Sequence, residues 1–375
     1  MKVAIDIRNL VEETLTGIGH YTQSLVGELV GDTSVDWYLF YNHGKRAKEP
    51  DIIHKLENLS HVHIIRTRYP NKVFNLLLCL RLVHLDTLIC SRAGITELDW
   101  IFFPNLGFIS VSRKTKIMLA IHDLTFARFK HYYTLKRLWW HAFLRPKLLI
   151  SRAHTIITPS RSTKDDLAML YAINHARVRV VPHGGMGDEE SVGEREDSLQ
   201  SAKPYFLALS TVEPRKNFEG IIAAYKESSL HQRGIELIIC GASGWGNRSV
   251  LQKFKNTPGV VYLGYVDHAQ KKKLLSGALA LVYPSYYEGF GLPILEAFGY
   301  GVPVITSDRS SLLEVCDGAA YLVRPHITSD ITHAMRDLAH SPELREWYAK
   351  KGRERAEKFS WVSASETVLK LLQHF

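Results

Sequence analysis

Short apolar runs rich in β-branched and aromatic residues alternate with helix-patterned stretches along the chain, in two successive series. That alternation leaves few folds open, because parallel strands need long crossover connections and helices supply them. The first series comprises residues 2–7, 37–41, 61–65, 100–103, 116–120 and 155–158, closed by 178–181. The second begins at 205–210 and continues with 236–240, 260–264, 280–283 and 302–306. Between them, 184–202 holds glycines and mixed polar residues with no period, which marks a linker. A chain of 375 residues is also too long for one ordinary core. The expected fold class is therefore α/β: two doubly wound parallel-sheet domains, 1–190 and 200–355, facing each other across a cleft. In such sheets ligands bind beyond the carboxyl ends of the strands. Residues 342–375 are helical by pattern.

The most informative short segment is Tyr287-Glu-Gly-Phe-Gly-Leu-Pro-Ile-Leu-Glu296. Pro293 suits the first turn of a helix, where a missing N–H costs nothing, and Gly289 and Gly291 permit a tight loop just before it. The N–H groups at such a helix start attract anions, above all phosphate. Glu288 falls at the loop tip and Glu296 one turn into the helix, so two hydrogen-bond acceptors flank a phosphate cradle. This suits a ligand with hydroxyls at both ends of a diphosphate, as in a nucleotide sugar. On spacing alone, an amphipathic helix with solvated glutamates fits equally well.

Three further segments follow strands. Ser210-Thr-Val-Glu-Pro-Arg-Lys-Asn217 ends the first strand of the second series. Arg215 and Lys216 there can neutralise a diphosphate, one as a fork and the other as a point charge, although a basic pair is ordinarily solvated surface. Gly17-Ile-Gly19-His-Tyr21 follows the first strand. A dinucleotide fingerprint requires its glycines in the immediate strand-to-helix turn, with a third Gly or Ala three positions on. Here the strand ends near Ile7 and Thr22 holds the third position, so the dehydrogenase reading fits poorly; a phosphate-facing loop and a plain turn both remain. Ile121-His-Asp-Leu124 follows 116–120, where a lone histidine is more often a structural hydrogen-bonder than a catalyst. No Asp-x-Asp pair occurs, so the usual carboxylate clamp for a diphosphate-bound metal is missing.

Taken together, these segments resemble the retaining glycosyltransferases of the GT-B fold, family 4, whose Glu-x7-Glu motif matches Glu288 and Glu296. The similarity continues through Tyr283-Pro-Ser285 and Gly299-Tyr-Gly-Val-Pro-Val-Ile305, spans essentially the whole chain and is strongest over 203–323. Glu-Pro-Arg-Lys-Asn217 is similar to the mannosyltransferase branch that uses GDP-mannose. The resemblance implies two Rossmann-like domains, with a terminal helix at about 356–375 packed back on the first. It implies that Glu296 holds the donor ribose and that Arg215 and Lys216 hold the leaving diphosphate. Glu288, with the loop Gly289, Phe290, Gly291 and Leu292, would hold the sugar. Gly19 would face the diphosphate and His122 the sugar ring, with Tyr21 and Asp123 on the acceptor side. Glu288, His122, Arg215 and Lys216 are then the catalytic set. The same resemblance implies attack on the face the nucleotide leaves, with a donor phosphate oxygen taking the acceptor's proton. No cofactor and no metal are expected, because the cations and helix starts would carry the diphosphate charge.

Charge and aromatic content suggest where an acceptor is met. Residues 1–190 hold 25 Lys and Arg against 18 Asp and Glu, whereas 191–375 hold 22 against 20, so the front half carries most of the +9 net charge. From Leu124 to Lys164 there are nine basic residues and no acid, with Phe126, Phe129, Tyr132, Tyr133, Trp139, Trp140 and Phe143 interleaved. Leu135, Leu138, Trp139, Ala142 and Phe143 fit the apolar face of a core-facing helix, which leaves Trp140 and the acid-free field unexplained. Residues 126–147 thus suggest an anionic membrane surface or a lipid-diphosphate-linked acceptor. No nucleic-acid module signature appears.

The most apolar stretch, 73–90, is interrupted by Arg81, His84 and Asp86 and does not read as a membrane span. Residues 1–10 read as a strand rather than a secretory signal, and Cys79, Cys90, Cys240 and Cys316 have no metal or disulfide spacing. A cytoplasmic protein, peripheral on the inner face of the membrane, is expected. Its activity would be mannosyl transfer from GDP-mannose to a glycan or lipid-linked acceptor in O-antigen-like lipopolysaccharide assembly. The alternatives are a UDP-glucose or UDP-N-acetylglucosamine transferase and a nucleotide-sugar epimerase, which would convert donor with no acceptor present. A basic membrane- or nucleic-acid-binding protein would tolerate loss of Glu288.

Overall fold

The computed structural model describes residues 1–11, 16–43, 50–130, 133–185, 203–244 and 248–374. It divides into two compact units, Met1–Gly184 with Trp361–Phe375, and Gly185–Ser360.

The first unit is built on seven parallel strands: β1 (Lys2–Asp6), β2 (Asp36–Asn42), β3 (Val62–Thr67), β4 (Trp100–Phe103), β5 (Lys116–Ala120), β6 (Thr155–Thr158) and β7 (Val178–Val180), in the order β3-β2-β1-β4-β5-β6-β7. Val3 lies beside Trp37 on one flank and Trp100 on the other. Both faces of the sheet are covered, so successive residues feed different cores. Val3, Ile5, Trp37, Leu39, Trp100 and Phe102 join one core; Ala4, Tyr38, Phe40, Ile101 and Phe103 join the other.

The helix Gly17–Leu29 closes the first core together with the terminal helix Trp361–His374, which contributes Trp361, Ala364, Val368 and Leu372. Those four positions repeat at the spacing of one helical face. The helical segment expected from 342 onward is thus two helices: Pro342–Ala356 stays in the second unit, and Trp361–His374 belongs to the first.

The second unit has six parallel strands: β8 (Tyr205–Leu209), β9 (Glu236–Cys240), β10 (Val260–Gly264), β11 (Ala280–Tyr283), β12 (Val304–Ser307) and β13 (Tyr321–Val323), in the order β10-β9-β8-β11-β12-β13. In both sheets the strand order reverses beside the first strand of the series, where carboxyl ends open a crevice. β13 was not anticipated from sequence, being a three-residue edge strand. Most of the expected linker, 186–202, lies outside the described residues.

Two helices of the first unit leave apolar residues uncovered, although Phe74 and Leu78 of one of them reach the core. The apolar stretch 73–90 forms two short helices, Asn71–Cys79 and Leu85–Ala93. Val73, Leu76, Leu80 and Leu82 on and just after the first are exposed. The helix Leu135–Phe143 has no buried residue among those whose side chains are described, and Trp139 and Phe143 are 66% and 57% exposed. The reading of its apolar face as core-facing is therefore corrected: that face is uncovered. Tyr132 and the Leu135 side chain lie outside the described residues.

Gly184 meets Trp361 so closely that an added Cβ would lie 2.4 Å from Trp361 Cγ and 2.5 Å from its amide nitrogen. Gly184→Ala must displace the start of the terminal helix. Urea unfolding should show a loss of about 1–3 kcal/mol, typical of forced overpacking. An unchanged midpoint would mean that the packing at Trp361 contributes little.

Candidate active site

Beyond the end of β8 the chain makes a single 3-10 turn, Pro214–Lys216, and then places Asn217 in the left-handed region at φ 57°. Asn217 tolerates that conformation because its side chain bonds locally: Oδ1 accepts from Gly220 N and starts the helix Phe218–Ser228. Its Nδ2 donates to the carbonyls of Pro284 and Pro325, tying this turn to the loop after β11. The two cations of the turn are thereby fixed against that loop. Arg215 Nη1 donates to Glu288 Oε2 at 2.5 Å and to the Tyr287 carbonyl at 3.0 Å. Lys216 Nζ reaches Glu288 Oε1 at 2.5 Å and the Tyr283 hydroxyl at 2.6 Å. Arg215 Nε in turn pairs with Glu213 at 2.6 Å.

The Glu288 loop is held just as closely. Ser310 Oγ accepts from Glu288 N at 3.0 Å, and Ser311 Oγ donates to the carbonyls of Glu288 and Phe290. Gly291, at φ 114°, caps the helix Leu292–Gly299 with Pro293 in its first turn. A side chain at Gly291 would be strained at that φ and would approach Leu312. One turn in, Glu296 pairs with Lys271 at 2.7 Å.

Glu288 is only 5% exposed. Burial alone would raise its pKa, but Arg215 and then Lys216 outweigh it and hold the carboxyl at about 2. Lys216 moves down from the usual lysine range because of burial first and Arg215 second, with Glu288 and Glu213 pulling it back. Two cations and two carboxylates thus form a compact, charge-balanced network. Rigid cations at the carboxyl end of a strand can stabilise a leaving anion without reorganising as charge develops.

The first unit holds a second cluster. His122, after β5, contacts the Pro104 carbonyl with Nε2 at 2.7 Å and His183 Nε2 with Nδ1 at 3.3 Å. If Nε2 carries the proton toward the carbonyl, Nδ1 is an acceptor, and both nitrogens are engaged. Burial depresses the pKa of both histidines, which keeps the pair neutral near pH 7. Tyr21 packs edge-on to His122 at 4.5 Å and touches His183 and Trp361.

Comparison with known proteins decides the family. Residues 194–355 match the model "Glycosyl transferases group 1", and residues 15–184 match "Glycosyltransferase Family 4". The chain belongs to the glycosyltransferases of the GT-B fold. It is 27% identical to O-antigen chain mannosyltransferase B of Escherichia coli over 367 residues, 95% of each chain. It is 28% identical to the O-antigen chain mannosyltransferase RfbU of Salmonella typhimurium over 200 residues, 52% of this chain and 54% of that one. Among solved structures, sucrose-phosphate synthase from Thermosynechococcus elongatus superposes with a TM-score of 0.76 at 19% identity, over 99% and 98% of the two chains.

Within this glycosyltransferase the expected residues divide into two groups. Glu288, Arg215 and Lys216 come together in one network, and Gly289, Gly291, Leu292 and Glu296 lie on the loop and helix that continue from it. The Phe290 side chain faces the core against Phe359, which leaves only its backbone to the loop surface.

Three further first-unit residues are placed as follows. Gly17 and Gly19 lie in the first turn of the helix Gly17–Leu29, and Gly19 N faces the Thr16 hydroxyl at 3.5 Å. Tyr21, expected at the acceptor, is buried at 3% exposure. Asp123 Oδ1 accepts from Thr125 N and caps the short helix Thr125–Arg128.

Sequence reasoning did not single out Glu213, Tyr283, Ser310, Lys271 or His183. Glu213 was in plain view two positions before Arg215. The others gave no local signal, because their roles arise from strands far apart in sequence.

Removing Glu288 leaves the buried Lys216 ammonium without a carboxylate partner beside Arg215, which keeps Glu213. Glu288→Ala should cost about 3–5 kcal/mol of second-unit stability in denaturant melts at pH 7. The pH sign follows from the depressed carboxyl. Its contribution is complete above the ordinary glutamate value of 4.5 and is lost as pH falls towards about 2. The stability gap between wild type and Glu288→Gln should therefore close over that window; a gap independent of pH would contradict an ionised Glu288.

Proposed function

We propose that this glycosyltransferase moves mannose from GDP-mannose, with retention, to a glycan or lipid-linked acceptor in O-antigen-type polysaccharide assembly. The observation that carries this reading is the placement of Arg215 and the buried Lys216, both held by Glu288, beside the loop that opens the Leu292–Gly299 helix. Nucleotide-sugar transfer needs the leaving diphosphate stabilised as negative charge develops, and a fixed fork and point charge meet that need. Glu296, one turn into the helix, is positioned for the ribose, and Glu288 for the sugar hydroxyls and the oxocarbenium-like charge. The mannosyl assignment draws support from the Glu-Pro-Arg-Lys-Asn217 form and from the two O-antigen mannosyltransferases the chain resembles.

Purified protein supplied with GDP-mannose, UDP-glucose and UDP-N-acetylglucosamine should hydrolyse and bind GDP-mannose selectively, and EDTA should leave the rate unchanged. Preference for a UDP-sugar would discard the mannosyl assignment; dependence on a divalent ion would discard metal independence. Lys216→Ala and Glu288→Ala should each lower turnover about 100- to 1,000-fold, the usual effect of losing one preorganised stabiliser. Near-wild-type turnover in either would remove the catalytic assignment.

Location at the inner face of the cytoplasmic membrane belongs to the same proposal. No helix among the described residues is long and apolar enough to cross a membrane. The uncovered faces of Asn71–Cys79 and Leu135–Phe143 lie close together, with Cys79 Sγ 3.7 Å from the Phe143 carbonyl. Leu76, Leu80, Trp139 and Phe143 are exposed there, and Lys136, Arg137, Arg145 and Lys147 supply positive charge on or just after the second helix. Apolar and basic groups on one surface suit anionic headgroups over acyl chains. Sedimentation with vesicles containing phosphatidylglycerol should capture the protein, and pure phosphatidylcholine should not. Trp139→Ser with Phe143→Ser should release it; retention of the double variant would place the contact elsewhere.

A further inference from the structure

The strands of the first unit are parallel, so their amino ends form a second edge of the sheet, opposite the carboxyl ends where ligands of such folds sit. On that edge lies a cavity of about 370 Å³, within the range of small-molecule sites. Its lining comes from the starts of four neighbouring strands: Trp100 opens β4, Lys116 opens β5, His154 precedes β6 and Arg177 precedes β7. Arg152, at the end of the helix Pro146–Arg152, completes the basic part of the lining.

Packing accounts for only part of this charge. Arg177 Nη2 donates to the carbonyls of Ile150, Ser151 and Ala153 and so closes the end of that helix. Arg152 Nη2 donates to the Ser112 carbonyl at 2.9 Å. In both arginines one nitrogen fastens backbone, and the acceptors are neutral. Among the described residues, Nε and Nη1 of these two side chains make no hydrogen bond. A guanidinium held by one nitrogen keeps the rest of its fork for an anion.

Trp100 is 1% exposed and sets the spacing of the other groups. Lys116 Nζ lies over its ring at 5.4 Å from the centroid, and His154 stands edge-on to it at 6.2 Å. His154 Nδ1 accepts from Ile117 N at 3.0 Å, which places the proton of the neutral ring on Nε2 and leaves that N–H as a donor. The positive field is felt locally. Burial first, and then Lys116, Arg177 and Arg152, hold His154 below the usual histidine range. Burial, Arg81 and Arg113 lower Arg152, and Asp86 pulls it the other way. The Asp86 carboxylate already accepts from Ser112 and Thr115.

We propose that this cavity is a binding site for a phosphate group, carried by a soluble phosphoester or by a lipid headgroup. Two guanidinium forks, an ammonium and an imidazole N–H match a group that presents several acceptor oxygens and close to two negative charges. A monocarboxylate would leave much of that positive charge uncompensated. The site stands apart from the transferase reading, since it uses none of the residues assigned to transfer.

The experiment uses the full chain. Pyrophosphate and acetate are titrated calorimetrically into Lys216→Ala, in which the second-unit cations are weakened, and hydrogen exchange is followed on the wild type with and without pyrophosphate. Pyrophosphate should bind Lys216→Ala, with acetate at least about tenfold weaker. In the wild type, exchange should slow at amides within 112–117 and 150–155. Adding Arg152→Gln and Lys116→Gln together should weaken pyrophosphate at least about tenfold, and Arg152→Lys alone should weaken it less. Arg152 and Lys116 are both half-buried, so these variants are expected to fold; matching melting curves without ligand check this.

Sedimentation with phosphatidylglycerol vesicles separates the two sources. If the paired substitutions abolish both pyrophosphate binding and sedimentation, the site takes a headgroup. If they abolish pyrophosphate binding alone, it takes a soluble phosphoester. Acetate binding as tight as pyrophosphate, affinity unmoved by the paired substitutions, or wild-type protection confined to the second unit would each overturn the proposal.

Discussion

A carboxylate buried between a guanidinium and an ammonium is stable only as part of the set, and Glu288 occupies that position. Taken singly, each of the three charges would pay a desolvation penalty of several kcal/mol. Held at 2.5 Å on both sides, Glu288 remains ionised down to about pH 2. The surrounding loops are shaped by that requirement. Asn217 adopts a left-handed conformation to turn the chain after Lys216, Gly291 adopts another to begin a helix, and two serines fix the backbone of the intervening loop. Charges placed in this way are poised before any ligand arrives, which is the property that electrostatic catalysis requires.

The two sheets supply rigidity at the places where chemistry is needed. Alternate residues of each strand enter separate cores, so the carboxyl ends of β1, β2, β4, β8 and β11 cannot shift independently of the packing beneath them. The second unit spends those ends on a charged network. The first opens a cavity there, lined among the described residues by the Asp6–Arg8 pair, Asn42 and Trp140.

Much of this was legible in the sequence because the signals were local. Strand positions such as 100–103, 116–120, 236–240 and 280–283 coincide with β4, β5, β9 and β11, since continuous apolar runs between turn residues have few other uses. The Glu288 loop could be anticipated from glycines and a proline at fixed offsets. Its direct pairing with Arg215 and Lys216 could not, because it depends on β8 and β11 being neighbours in the sheet. The same limit explains Tyr21. Its motif looked like a ligand loop, yet helical periodicity turns the ring into the core beside His122. The Leu135–Phe143 helix misled in the opposite sense, since an amphipathic pattern states that one face is apolar and not what covers it.

The central claim is that Arg215 and Lys216, held by Glu288, form the seat of a nucleoside diphosphate. Calorimetric titration of GDP into wild type and Lys216→Ala at low and physiological ionic strength tests it most directly. The account predicts saturable, one-to-one binding by the wild type and affinity weakened at least tenfold in Lys216→Ala, with a melting temperature that shows the variant folded. Equal GDP affinity in the two proteins, or no binding by the wild type, would contradict it.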